Sequence, residues 1–386
     1  MRGQRYFKPH CMIDNILLAP YYLTLKTRHF LYDKGIRKSS RAGVPAIGIG
    51  NITVGGTGKT PHTELTVRTL LSLEAFRGKH LAVLSRGYRR RSKGFQQVTA
   101  DSPSEFSGDE PLQIKRKFPG ITVAVDADRV EGCGFLVNPG TLETSKKGRK
   151  CLHREFPPAD AIVLDDVLQH RALKPDLSIL LIDFHHPVSK DMLLPFGRLR
   201  DLRERTSAAD VVIISKCPTY LEDSQRTEWA ESLGLKDFDP GTMQGTTSAG
   251  RKQTLLFSTI RYRDPAPVFP EGDQHYVYAP RAIVFTGIAD DTPLMAFLSG
   301  KYKISGHLTF SDHHRFNESD IRMILGAAES EPTAILVTTE KDSQRLSDME
   351  KIPGTLRKRM FQVPIEAEFL TEEEDAIFRN LLENLL

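Results

Sequence analysis

The chain has 386 residues, 39% hydrophobic and 26% charged, a balance that excludes global disorder and leaves room for two domains with separate cores. Four cysteines (Cys11, Cys133, Cys151, Cys217) show no C-x-x-C spacing, which argues against a disulfide framework or a zinc site and fits a reducing cytoplasm. The net charge of +4 sits at the N-terminus, where residues 1–43 hold nine Lys or Arg and two Asp, so no nucleic-acid-binding face is expected.

In that segment the longest apolar stretch, Ile16 to Leu23, falls short of the roughly 18 residues that a spanning helix needs. No small-residue cleavage site follows it, so a cleaved signal peptide is a poor fit. Pro20 is expected to open a helix bearing Tyr21, Tyr22, Leu25, Phe30, Leu31 and Tyr32, with Lys26, His29 and Asp33 as a polar stripe. Lys34, Arg37, Lys38 and Arg41 follow. An aromatic surface beside a basic cluster suits an anionic membrane interface, and equally a helix packed on the domain with a solvated basic turn.

Next comes the most informative stretch, Pro45 to Pro61. A short apolar run leads into Thr53, Val54, Gly55, Gly56, Thr57, Gly58, Lys59 and Thr60, followed by a helix-compatible stretch from Glu64 to Leu73. Glycines there let backbone N–H groups close around phosphate oxygens. Lys59 supplies a point charge for the β/γ-phosphates, and the Thr60 hydroxyl is placed to hold Mg²⁺. The standard loop has glycine where this chain has Thr53. Binding of a nucleoside triphosphate is expected.

Apolar runs then recur at Ala46–Ile49, Leu81–Leu84, Thr122–Val125, Ala161–Leu164, Ile179–Ile182 and Val211–Ile214. Most lack period-two alternation, as do strands buried on both faces of a parallel sheet. With helix-compatible stretches between several of them, a doubly wound α/β domain of the P-loop NTPase type is expected over residues 44–235. Residues 236–280 are rich in Gly, Pro, Thr and Ser and contain one strand, Thr254–Ile260, which reads as a hinge with a β-ribbon. A smaller α/β domain follows at 281–386, with strands at Ile283–Phe285 and Ile335–Val337 and helices at Thr292–Leu298 and Glu318–Glu329. The basic run Lys146 to Lys150 lies in an irregular insert at 138–153 and reads as a solvated loop.

Sites in such sheets form at the carboxyl ends of the strands. Those ends carry Ser85-Arg86-Gly87-Tyr88, then Asp126, Asp128 and Arg129, then Asp165-Asp166 followed by Gln169-His170-Arg171. An apolar strand ending in acids is the usual form of a second Mg²⁺-holding element. Three further clusters are Gly108-Asp109-Glu110-Pro111, the stretch from Leu193 to Arg200-Asp201, and Asp312-His313-His314-Arg315. Adjacent histidines chelate a metal poorly, and a carboxylate-supported histidine acting as a base on an alcohol is the stronger reading.

In order and spacing these motifs resemble those of the tetraacyldisaccharide 4′-kinase family, from about Tyr32 to Leu346, including Phe285-Thr286-Gly287-Ile288 and Thr338-Thr339-Glu340-Lys341-Asp342. The resemblance implies two α/β domains joined by a β-ribbon hinge and an N-terminal membrane-docking helix. It implies transfer of the γ-phosphate of ATP, with Mg²⁺, to the 4′-hydroxyl of an acylated glucosamine disaccharide 1-phosphate in lipid A biosynthesis. The enzyme would be peripheral, at the cytoplasmic face of the bacterial inner membrane, with no obligate protein partner. By the resemblance Lys59 and Thr60 contact phosphate and Mg²⁺, and Asp109 is the catalytic aspartate, working with His313 beside Asp312. Asp165 and Asp166 lie near the metal, and Arg129 and Arg200 near the phosphates. The family usually has Arg-Glu where this chain has Arg200-Asp201, so a metal role for Asp201 needs the loop to move in or a water to bridge. Val167-Leu168 replaces the usual Gly-Phe, which reads as repacking. The rival readings are a P-loop GTPase or metallochaperone-type switch and a soluble P-loop kinase for a small metabolite. The nearest guanine-reading candidates, Ser215-Lys216-Cys217-Pro218 and Glu340-Lys341-Asp342-Ser343, lack the closing aspartate.

Overall fold

A computed structural model of the chain describes residues 12–386; the first eleven residues of the expected docking segment lie outside the described residues. Two compact units interleave along the sequence. The first holds the chain up to Lys59, Val163–Thr259 and Phe369–Leu386, and the second holds Thr60–Ile162 and Ile260–Glu368.

The first unit is built on four parallel strands in the order Ala46–Asn51, Leu177–Asp183, Val211–Ser215 and Lys252–Tyr262, in register at Gly50↔Leu180, Leu181↔Ile213 and Leu255↔Val212. Ala46–Asn51 and Val211–Ser215 are buried at every residue, which is why their apolar runs do not alternate. Gln244–Thr246 and Lys236–Asp239 extend the sheet antiparallel. The core joins Leu180, Ile182, Val212, Ile214, Leu255 and Phe257. The last helix, Glu372–Glu383, is held to this unit by Glu374, which is fully buried, pairs with Arg226 at 2.6 Å and accepts the Phe257 N–H at 3.0 Å.

The N-terminal helix also belongs here, and it differs from expectation in two ways. It runs Met12–Asp33, with Pro20 inside rather than at its start. His29, expected in a polar stripe, is 5% exposed, on the same inward face as Leu18 and Leu25. Both ring nitrogens find partners there, which removes the cost of burying them. The outward face instead shows Leu23 and Phe30, each more than half exposed.

In the second unit Leu81–Ser85 pairs parallel with Thr122–Val125, whose other edge takes Gln96–Val98 antiparallel. A five-stranded sheet has the order Ala266–Pro267, Met360–Val363, Ile335–Thr339, Arg281–Thr286 and Lys303–Thr309, parallel except at Ala266–Pro267. Two clusters fill its faces, one around Ile283, Phe285, Leu336 and Met360, the other around Val284, Ile335, Val337 and Phe361. The strand expected at Thr254–Ile260 runs Lys252–Tyr262, and its ribbon partner is Ile365–Phe369, a hundred residues downstream. Both ribbon strands pass from one unit into the other.

Candidate active site

Two groups of candidate side chains lie one in each unit. In the first, the Ala46–Asn51 strand delivers its carboxyl end to the glycine-rich loop. Gly55 and Gly58 have φ of +104° and +79°, which side-chain-bearing residues rarely adopt, and a Cβ on Gly55 would lie 2.6 Å from Arg198 Nη2. Thr53 stands where a glycine is usual because its backbone stays out of that region and bridges Leu199 as extended chain. Thr57 is buried, its hydroxyl accepting from Asn51 Nδ2 at 2.8 Å.

Asn51, to which sequence reasoning assigned no role, is the hub. Its Oδ1 accepts from Lys59 Nζ at 3.5 Å and from Arg200 Nη2, and its carbonyl from Gln169 Nε2 at 2.6 Å. Arg200 also grips Asp166 with both terminal nitrogens, and Lys59 Nζ lies 4.0 Å from the same carboxylate. Asp166 holds a φ of +51°, a strained setting of the kind that concentrates at functional positions. Arg200 Nε is buried without a hydrogen-bond partner among the described residues. Two cations, turned glycines and a spare buried N–H donor fit polyphosphate oxygens.

Asp165 and Asp166 end the Ala161–Asp165 strand and its turn, and Thr60 is the second residue of the Lys59–Ser72 helix. These are hard oxygen donors suited to Mg²⁺. Among the described residues no group of three His, Cys, Asp or Glu could hold a metal alone. Asp201 is 2% exposed, and its Oδ1 is taken by His29 Nε2 at 2.5 Å and by the Leu202 N–H at 2.8 Å. Gly48 and Gly50 make room for Val167-Leu168: a Cβ on either would lie 2.8 Å from those side chains. Beside the N-terminal helix a cleft of about 370 Å³ is lined largely by Leu18, Tyr22, Leu193, Leu199 and Leu202.

In the second unit Asp109 opens the Asp109–Lys117 helix after Gly108, whose φ is +92°. Its Oδ2 lies 3.4 Å from His313 Nδ1 and accepts from Arg345 Nε at 3.0 Å. Burial works to raise the Asp109 pKa, but the bond to His313 and the charges of Arg345 and Lys341 outweigh it and hold the carboxyl below its usual range. Lys341 Nζ lies 3.0 Å from His313 Nε2 and 3.0 Å from Glu110 Oε1. Asp312 approaches the same nitrogen only to 3.9 Å and is half exposed. His313 itself has φ +59°.

The two histidines, not distinguished by local sequence, differ in their partners. His314 bonds Asp320 at 2.8 Å and stacks on Phe310 at 4.8 Å, so it serves the start of the Glu318–Ser330 helix. Arg129 opens the Arg129–Val137 helix, 3% exposed, donating to the Ala127 carbonyl at 3.1 Å. Beside it Asp126 is pushed up to about 6 by burial. Asp342 is fully buried, with its oxygens taken by the Gly287 N–H, Thr339 and Arg345, so it is not free to read a guanine base. Lys341 and Arg345 were missed as functional side chains. Lys341 lies within the family motif Thr338–Asp342 but was given no role there, and Arg345 showed only as a charge in the run that follows.

The chain matches the family described as tetraacyldisaccharide-1-P 4′-kinase over residues 15–386. It is 35% identical to a tetraacyldisaccharide 4′-kinase of Phocaeicola vulgatus over 364 residues, 92% of this chain and 89% of that protein. It is also 35% identical to the protein of that name from Bacteroides thetaiotaomicron, over 94% of this chain and 90% of the relative. In fold it is similar to the crystal structure of LpxK from Aquifex aeolicus in complex with ATP, with a TM-score of 0.65 and 24% identity over 96% of this chain and 99% of that one.

Proposed function

The chain belongs to the tetraacyldisaccharide-1-P 4′-kinase family, and from that membership we propose how its residues carry out the reaction. It is a kinase that uses ATP to phosphorylate the 4′ position of a tetraacyldisaccharide 1-phosphate in lipid A biosynthesis. A GTPase switch or a small-metabolite kinase is not favoured by that family.

Phosphoryl transfer demands mainly positioning and neutralisation of charge. Lys59 and Arg200 hold the β/γ-phosphates against the loop Thr53–Thr60, with Asn51 fixing both cations. Thr60, Asp165 and Asp166 would hold Mg²⁺, which supplies further neutralisation of the triphosphate when bound. Asp201 anchors the N-terminal helix through Oδ1 and would reach the ion only through a bridging water. Arg129 is assigned to phosphate binding by the family match alone, and His313, oriented by Asp109, takes the proton of the acceptor hydroxyl. Asp312 stays at the rim of that pair.

A lipid substrate gives the N-terminal helix its purpose. Leu23 and Phe30 face outward, and Lys34, Arg37 and Lys38 are exposed just beyond. We assign this surface to docking on an anionic membrane, at the cytoplasmic face of the inner membrane where ATP is available. Among the described residues no helix is long and apolar enough to cross a bilayer. The cleft beside the helix, where leucines meet Asp191, Arg203 and Glu204, offers the apolar wall of Leu18, Leu193 and Leu199 to an acyl chain.

The observation that carries the assignment of residues is the Lys59–Asn51–Arg200–Asp166 cluster behind a turned glycine loop. Incubation with ATP and the disaccharide 1-phosphate in mixed micelles, followed by mass analysis, tests the whole. One added phosphate, lost in Lys59→Ala and Arg200→Ala, is the expected result. Full activity in both variants would overturn the placement of the triphosphate.

A further inference from the structure

His313 meets a cation on the nitrogen that a base needs free. Its Nδ1 faces Asp109 at 3.4 Å, while its Nε2 lies 3.0 Å from Lys341 Nζ. An ammonium has three protons to donate and no lone pair to offer, so this contact requires Nε2 to be the unprotonated nitrogen. The proton of the neutral ring then lies on Nδ1, directed at Asp109. Glu110, 3.0 Å from Nζ on its other side, holds the ammonium in place.

We propose that Lys341 is a positioning residue for the base: its ammonium, braced by Glu110, caps Nε2 of His313 at rest, keeps that nitrogen free of protons between turnovers, and yields it to the acceptor hydroxyl. The inference rests on His313 being the proton acceptor. As the hydroxyl enters, Lys341 stays on Glu110 and Nε2 takes the hydroxyl proton. The O–H bond breaks as the N–H bond forms, and the oxygen bonds the γ-phosphorus. The bond from that phosphorus to the bridging oxygen breaks, and ADP leaves with the electron pair. The imidazolium then gives its proton to water as Lys341 returns, because two like charges about 3 Å apart disfavour the protonated ring.

Other charged or titratable groups facing His313 do not duplicate this. Asp109 and Asp312 are acidic, and Arg345 and Asp342 bond to each other. His314 is committed to Asp320, and Tyr88 offers only a ring edge, with centroids 5.9 Å apart. Among the described residues, Lys341 alone sets a positive charge against Nε2.

The test uses the full chain labelled with ¹⁵N-histidine, the His313 signal being assigned by its loss in His313→Ala. In Lys341→Met the pH at which Nε2 becomes protonated should rise by about one unit relative to the unsubstituted protein, and Lys341→Arg should restore it. The acid limb of the rate profile should move with it, so that kcat of Lys341→Met falls more at pH 6 than at pH 8 while KM for ATP is unchanged. An unchanged Nε2 titration in Lys341→Met would overturn the cap. A shifted titration without movement of the acid limb would overturn the resetting role. Full activity in His313→Ala would instead remove the base, and the titration would still judge the cap.

Discussion

His29 Nε2 and Asp201 Oδ1 lie 2.5 Å apart, both almost fully buried, and join the N-terminal helix to the loop that carries Arg200. Three further bonds follow the same path. Tyr21 donates to the Arg200 carbonyl at 3.0 Å, Arg28 to the Gln169 carbonyl, and Arg171 contacts His29 Nδ1 at 3.0 Å. The helix that faces outward with Leu23 and Phe30 is therefore bonded to residues that fix Asn51 and Asp166.

Removing either partner of that pair leaves the other buried with one bond fewer: among the described residues Asp201 keeps only the Leu202 N–H, and His29 only Arg171. His29→Ala should lower stability by about 2 kcal/mol, read as a shift in chemical denaturation, and should weaken ATP binding measured by equilibrium dialysis. Asp201→Glu restores the family's usual residue but adds a methylene at a buried contact only 2.5 Å long, so it should destabilise the protein; His29→Ala combined with Asp201→Glu should recover part of that loss. Unaltered stability in Asp201→Glu would show that the contact carries nothing.

Lys59→Ala removes the loop's own cation from Asn51 and Asp166. Turnover should fall by at least a hundredfold, about 3 kcal/mol of transition-state stabilisation. Thr60→Ala should instead raise the Mg²⁺ concentration needed for half-maximal rate. A Lys59→Ala enzyme with near-normal kcat would refute the phosphate-loop assignment.

The two adjacent histidines should separate cleanly. His313→Ala should lose about 10²–10⁴ in rate with the fold intact, as expected for a general base. His314→Ala should lose stability first, because it breaks the bond to Asp320 and the stack on Phe310. The reverse pattern in kcat and melting temperature would exchange their roles.

Glu64 is fully buried against Lys117 at 2.7 Å, and burial, helped by the charge of Glu340, pushes its carboxyl up from 4.5 to about 7. The folded chain thus keeps this proton at pH values where the unfolded chain has released it. Its contribution to stability is complete below about pH 4.5 and is lost as pH rises through about 7. Glu64→Gln should raise the melting temperature more at pH 8 than at pH 5. An equal effect at both would exclude a raised carboxyl.

Leu23→Ser with Phe30→Ser should reduce sedimentation with anionic vesicles while leaving ATP binding intact, since both side chains point away from the unit. Undiminished vesicle binding would exclude this face as the docking surface.

Much of the chemistry was legible in the order of residues. The glycine-rich loop ending in Lys59-Thr60, the buried parallel strands and the acidic turn at Asp165-Asp166 follow from local patterns, because periodicity and turn chemistry act within one element. The family's motif order pointed to Asp109 and His313. What the sequence left open were contacts across long separations. His29 reaches Asp201 across 172 positions, His313 reaches Asp109 across 204, and Arg345 reaches Asp109 across 236. A histidine in a polar stripe and a lysine in a charged run look solvated until the fold supplies a buried partner. Whether burial costs or stabilises depends on that partner, and only the tertiary path of the chain decides which one it is.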